Sequence, residues 1–348
     1  MKTFRLFVPL VLSVSLCAHP LLGQERTSSN RASEVSRFGY VWGPQDGEWA
    51  ILPPTEGSGI LKASPRSGVQ QLALFAEQQP PWGGPPLHRH DDADEIFYLH
   101  SGAGTWTMEG RSWDVSAGAT VFVPRGTWHT YSTTASSTEI IFVMSSPGLE
   151  EYLNAVGGVV GGPAAQGVTA ELARRYATTA CYQNGPVTCS TRKPDVAGYI
   201  LSRGEGETFA PDDRGRLTII KASPETGSPS TVMFTQDIPA GAHAPARTNL
   251  EAEEILYIDE GSGTATLNTF RFPVVPGSVI FAPPGVAHGI ENPSEAIRVV
   301  GFTGRPGLEG ILRNALTRTG PSTGGLTPEQ IQDIRRKHER QETDMSVP

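Results

Sequence analysis

The feature that most constrains this chain is an internal repeat. Shifted by 159 residues, the 348-residue sequence falls into register with itself at landmark after landmark. Gly39-Tyr40 meets Gly198-Tyr199, Lys62-Ala63-Ser64-Pro65 meets Lys221-Ala222-Ser223-Pro224, Phe75 meets Phe234 and Glu95 meets Glu254. From there the register holds without a gap, through Gly118 and Gly277, Pro124 and Pro283, His129 and His288, to Pro147-Gly-Leu-Glu150 and Pro306-Gly-Leu-Glu309. The period is far too long for a solenoid unit, so the chain reads as two copies of one domain.

Within each copy, short runs rich in Val, Ile, Phe and Tyr are separated by Gly and Pro. In the first copy they are Glu95–Leu99, Gly104–Met108, Thr120–Val123 and Thr138–Val143, which read as strands of an antiparallel sheet. The 39 Gly, the 29 Pro and a charged content of only 18% favour the same all-β body, since soluble chains average roughly 25% charged residues. Helical tails are expected over Leu149–Ala155 and Ala170–Tyr176 in the first copy, and over Leu308–Leu316 and Thr327–Arg340 in the second. Each copy is therefore expected to be a β-barrel followed by short helices. The expected boundaries are a first barrel over 38–180, a linker over 181–196 and a second barrel over 197–345.

The first 23 residues read as a cleavable secretion signal, with Lys2 and Arg5 ahead of an apolar stretch to Cys17 and a cut before Gln24. Residues 24–37 read as a flexible segment. Leu16 before Cys17 argues against a lipoprotein signal, and no apolar run reaches the roughly 18 residues of a membrane helix. A secreted or periplasmic location follows. There Cys181 and Cys189, the two cysteines left after cleavage, read as a disulfide within the linker. The net charge of −8, without clustered Lys or Arg, argues against nucleic acid as a partner.

Chemistry concentrates in the first copy. His88 and His90 stand two apart, so on a strand both rings face one side. Glu95 is five residues beyond His90, an odd spacing that needs a turn, and Asp91-Asp92-Ala93-Asp94 supplies turn residues. His129 follows Gly118, Pro124 and Gly126, whose turn chemistry lets the chain double back. Three imidazoles and one carboxylate suit one divalent transition metal, Fe, Mn, Cu, Ni or Co with Zn also admissible, better than Ca or Mg. Glu95 is either a ligand or a general base. Phe75, Trp82, Phe97, Trp106, Met108, Phe122, Trp128 and Tyr131 are candidates for an aromatic wall, with Phe97, Trp106 and Tyr131 foremost as pocket lining. In the second copy the offset puts Arg247 at the place of His88 and Asn249 at that of His90, leaving Glu254 and His288. A guanidinium cannot ligate a metal. Arg247 either pairs with Glu254 in a vestigial pocket or joins Asn249 and His288 in binding an anionic or hydroxylated ligand.

The run Gly84-Pro-Pro-Leu-His88-Arg-His90-(four residues)-Glu95-(six residues)-Gly102 resembles the first cupin motif, and Gly118-(five residues)-Pro124-Arg-Gly126-(two residues)-His129 resembles the second. The spacing from Gly84 to His88 is shorter than usual, and Thr133 stands where the second motif often has Asn. Gly277-(five residues)-Pro283-Pro-Gly285-(two residues)-His288-(three residues)-Asn292 fits the second motif in full. The resemblance implies tandem cupin jelly-roll barrels. Among exported two-barrel cupins the chain looks most like the quercetinase group, which implies a dioxygenase: a flavonol-like aromatic substrate binds the metal as its oxyanion, Glu95 takes the proton, and O₂ attacks the activated ring. The alternatives are oxalate decarboxylase or oxidase chemistry and a non-catalytic protein that binds metal or a small ligand. An oligomer is compatible with all three.

Overall fold

A computed structural model describes residues 37–52, 57–157, 178–180, 194, 196–291 and 294–315. The leader, Cys181, Cys189 and the helices expected over Ala170–Tyr176 and Thr327–Arg340 lie outside the described residues. Among the described residues no helix is long and apolar enough to cross a membrane.

Among the described residues the strands form four sheets, and each copy contributes a large and a small one. In the first copy the large sheet is built on the neighbours Thr120–Val123, Glu95–Ser101, Thr138–Met144, Ala73–Gln79, Gly57–Ala63 and Glu48–Leu52. The small sheet holds Thr178–Ala180, His88–His90, His129–Thr133, Ala103–Met108 and Arg111–Ser116. The second copy repeats this around Glu254–Glu260 and Ile297–Thr303 in its large sheet, and Ala244–Thr248 and Ala287–Glu291 in its small one. All pairings are antiparallel, and the two sheets of a copy close on one another as a jelly-roll barrel. The helices after the last strands run over Leu149–Gly157 and Leu308–Ala315, at the places the sequence predicts.

One feature lies beyond the repeat. Tyr40–Trp42, the first strand of the first copy, pairs with Val279–Phe281 of the second barrel, and Tyr199–Leu201 pairs with Thr120–Phe122 of the first. Each copy therefore lends its opening strand to the other barrel. The recurring Lys-Ala-Ser-Pro supports this exchange at both ends. Ser64 and Ser223 cap short 3-10 turns with Pro at the first position, and Gly68 and Gly227 close those turns at φ 95° and 99°, a region that glycine enters without steric cost. Lys62 donates to the carbonyls of Gly43, Pro44 and Asp46, just past the crossing strand; Lys221 donates to those of Ser202, Arg203 and Glu205.

The two large sheets pack face to face across this seam, burying Tyr98, Phe122, Ile141, Val143, Tyr199, Tyr257, Phe281 and Phe302 in one cluster. Their opposite faces form the barrel interiors. Strands such as Glu95–Ser101 and Thr120–Val123 are thus buried on both faces, which is why Glu95–Leu99 is a continuous run rather than an alternating one.

Candidate metal centre

His88–His90 is a three-residue strand of the small sheet, between Thr178–Ala180 and His129–Thr133, and His88 is registered opposite His129. The chain bends through 91–94 and re-enters the large sheet at Glu95, opposite Val123 on one side and Met144 on the other. The backbone of Gly126 donates to the carbonyl of His90 at 2.6 Å, tying the turn before His129 to the end of the His88–His90 strand. One candidate ligand atom from each of His88, His90, Glu95 and His129 lies within 4.8 Å of the others, so the four sequence-predicted residues converge. His90, Glu95 and His129 are buried and His88 is partly open, placing the approach on the His88 side.

The donor atoms fit a cation. Nδ1 of His88 faces the carbonyl of Pro86 and Nδ1 of His129 faces that of Thr127, both at 2.9 Å. A carbonyl only accepts, so each Nδ1 carries the proton and each Nε2 is left as the lone-pair nitrogen that turns toward the centre. Burial, together with His129 and His90, pushes His88 well below its ordinary value and keeps the ring neutral. His129 Nε2 and His90 Nε2 lie 3.0 and 3.3 Å from the same Glu95 oxygen, Oε2. Lone pairs held this close to a carboxylate call for a shared positive charge, either a second ring proton or a metal. Burial alone would raise the Glu95 carboxyl, but the charge of His90 and the hydrogen bonds from His129 and His90 outweigh it and hold it far below the usual carboxylate range.

Of the expected aromatic wall, Phe97, Trp106 and Tyr131 meet beside the quartet. Trp106 stacks on Tyr131 at 4.5 Å, Phe97 sits edge-on to both, and its ring centre is 6.3 Å from that of His129. They pack on one another as the barrel's interior floor, with Phe75 and Phe142 stacked at 4.7 Å behind them. Three of the expected wall residues are elsewhere. Trp82 is 79% exposed, Phe122 faces the seam against Tyr199, and Trp128 lies under the Arg89 guanidinium. Thr120–Val123 is buried on both faces, so burial-type residues alone do not say which way Phe122 turns.

The structure also brings in two residues that the motif leaves out, Glu77 and Gln79. They share the inward face of Ala73–Gln79 with Phe75, and Tyr131 donates to Glu77 at 2.5 Å. The signal was in the sequence: a carboxylate two residues after an inward Phe on an alternating strand.

In the second barrel Arg247 takes the register position of His88, opposite His288. Its guanidinium is ion-paired with Glu254 and lies 5.7 Å over the Phe234 ring. His288 completes the cluster at 2.9 Å from Glu254 Oε2. Asn249 does not join it: its side-chain oxygen accepts from the backbone of Glu251 and Ala252, capping its own turn. No candidate metal group forms in this barrel among the described residues.

Comparison with known proteins agrees with this architecture. The cupin domain profile matches residues 75–145 and 234–302, one stretch in each barrel. Among curated sequences, an uncharacterized protein of Methanocaldococcus jannaschii is 40% identical over 55 residues, which span 16% of this chain and 44% of that protein. Among solved structures, protein Ylba from E. coli superposes with a TM-score of 0.53 at 16% identity, covering 77% of this chain and 91% of its own. An oxalate decarboxylase of Bacillus subtilis gives 0.53 at 17%, covering 78% and 80%, and the formate complex of that of Lactobacillus farciminis gives 0.54 at 15%, covering 76% and 86%. At these identities the likeness is one of fold. With a profile match in each half, two closed barrels and one convergent His/Glu quartet, the molecule is a two-barrel cupin.

Proposed function

We propose that the first barrel is the centre of an exported metal-dependent dioxygenase acting on a hydroxylated, flavonol-like aromatic molecule. The observation that carries this reading is the buried quartet of His88, His90, Glu95 and His129 set directly against the aromatic floor of Phe97, Trp106 and Tyr131. A divalent transition metal held by the four side chains supplies Lewis acidity, which lowers the pKa of a substrate hydroxyl. Glu95 takes the hydroxyl proton. The three imidazoles, two of them fixed by backbone carbonyls, hold the geometry while the proton moves. The aromatic floor keeps water from the interior side and offers flat apolar surface to a flat substrate. The basic and apolar leader of residues 1–23 supports export.

The fold neighbours favour oxalate decarboxylation as a second reading. Charge weighs against it here. The polar side chains that share the interior face with the aromatic floor, Glu77, Gln79 and Tyr131, include no cation, so a small dianion there meets two carboxylates and only a single metal to balance it.

The test is reconstitution of the mature chain separately with Mn, Fe, Co, Ni, Cu and Zn, following O₂ uptake with loss of quercetin absorbance, with His88→Ala as control. Metal-dependent turnover lost in the control supports the dioxygenase. Stoichiometric metal without turnover, together with formate and CO₂ released from oxalate, replaces it by the second reading.

A further inference from the structure

Glu77 is a buried carboxyl that neither the ligand set nor the proposed reaction uses. It is 9% exposed, on the inward face of its strand, with Gly59 and Ile140 beside it on the flanking strands. Its Oε2 accepts two hydrogen bonds, from Tyr131 Oη at 2.5 Å and from Gln79 Nε2 at 3.3 Å. Both donors are neutral, so a carboxylate here is held without a counter-ion, an arrangement that costs stability. The repeat shows that the fold does not require it. At the same positions the second barrel has Gln236 for Glu77, Ile238 for Gln79 and Ile290 for Tyr131. The acid is kept only in the barrel that carries the ligand quartet.

The charged and titratable groups that bear on Glu77 are Glu95, two strands away in the large sheet across Thr138–Met144, and Tyr131, from the small sheet. Burial, helped by the charge of Glu95, pushes the Glu77 carboxyl up to about 7, against the hydrogen bonds from Tyr131 and Gln79. A divalent cation bound beside Glu95 reverses the sign of the local charge that Glu77 feels, and so favours its ionised form.

We propose that Glu77 is a proton-exchanging counter-charge of the first barrel's metal centre, protonated while the ligand set is empty and ionised once a divalent cation is bound. Oε2 already accepts two hydrogen bonds, so the proton sits on Oε1 and passes to solvent as the carboxylate forms; no electron moves. The inference rests on the reading that this quartet binds a metal.

The test is calorimetric titration of the mature chain with Co²⁺ in buffers of different ionisation enthalpy, which counts protons released per metal, while the cobalt absorption bands report occupancy. Near pH 6.5 the native chain is expected to release about one proton more per Co²⁺ than Glu77→Gln, an excess that vanishes by about pH 8.5, where the acid is already ionised. Equal proton release by the two chains across that range overturns the inference. Tyr131→Phe is the second probe, informative even if Glu77→Gln folds poorly: loss of the donor raises the acid further, so the excess release extends to higher pH. An unchanged profile in Tyr131→Phe counts against Glu77 as the proton source. Absence of cobalt bands in the native chain sinks the metal reading itself, an outcome distinct from cobalt bound without the extra proton.

Discussion

The two barrels build the same frame around different centres. In the first, His129 Nδ1 faces a backbone carbonyl at 2.9 Å and its Nε2 faces Glu95 at 3.0 Å; in the second, His288 makes the same two contacts at 3.0 and 2.9 Å, with Glu254. The turn before the histidine is fixed in the same way, by Gly126 on His90 in one barrel and Gly285 on Asn249 in the other. What differs is the residue opposite the histidine. His88 completes a quartet that could hold a metal, whereas Arg247 fills the matching space with its own guanidinium. The interiors differ in step. Phe97, Trp106, Tyr131 and Phe142 correspond to Leu256, Ala265, Ile290 and Gly301, and the Phe234 ring lies where a side chain at 301 would go. The buried Glu-His pair is thus part of the frame. It needs a positive partner, and a metal or an arginine can serve.

The largest effect expected from this comparison is on metal binding. His129→Ala should weaken divalent metal binding by at least about 100-fold, since even outer contacts to ligands are worth 10- to 100-fold. His288→Ala, its counterpart, should leave the metal content at one per chain. Metal analysis after dialysis reads both. Metal retained by His129→Ala, or lost with His288→Ala, would break the distinction between the barrels.

If Arg247 is the second barrel's built-in cation, removing it should act on stability rather than on metal. Arg247→Met leaves Glu254 buried and opposed only by His288, and breaking one half of a buried pair costs about 3–5 kcal/mol. The guanidinium is 30% exposed, so the low end of that range is expected in urea unfolding. Replacing Glu254 by Leu in the same chain should recover most of the loss. A single substitution that costs less than about 1 kcal/mol would mean that the frame does not need the cation.

Acid probes the same pair with a smaller effect. Burial raises Glu254, but Arg247 and His288 outweigh it and bring its carboxyl down to about 2. A group lowered on folding contributes stability above its unfolded value, near 4.3, and loses it as pH falls toward the folded one. About 2–3 kcal/mol should therefore disappear from the native chain between about pH 5 and pH 2, and less from Glu254→Gln. Parallel pH profiles would remove Arg247 from the account.

How much of this was open to a reader of the sequence depended on where the signal lay. The quartet was legible because two histidines at strand spacing, a turn and a glycine-framed histidine leave few other geometries. Arg247 on Glu254 was legible because the repeat set a cation-bearing side chain beside a carboxylate. The direction of Phe122, toward the seam rather than into the barrel, was not, since a strand buried on both faces carries no alternation. Asn249 could be read for its register but not for its turn-capping role. The strand exchange was hidden for a different reason: three residues such as Tyr40–Trp42 specify a strand but not which sheet receives it.

That exchange supplies the smallest and most even test. Tyr40 Oη donates to the carbonyl of Lys62 at 2.8 Å and lies 3.1 Å from Ser67 Oγ; Tyr199 Oη donates to that of Lys221 at 2.9 Å and lies 2.7 Å from Thr226 Oγ1. Each hydroxyl ties a strand lodged in one barrel back to the backbone of its own copy. Burial pushes both phenols above their ordinary value, so both remain donors at any working pH. Tyr40→Phe and Tyr199→Phe remove a buried hydrogen bond of the same kind and should each cost about 1–2 kcal/mol, with the fully buried Tyr199 toward the upper end. Metal content should be untouched in both, because the frame is shared and only its contents differ. A cost confined to one of the two would show that a single crossing strand holds the barrels together. The symmetry of the seam would then be a matter of geometry alone, with the energy on one side.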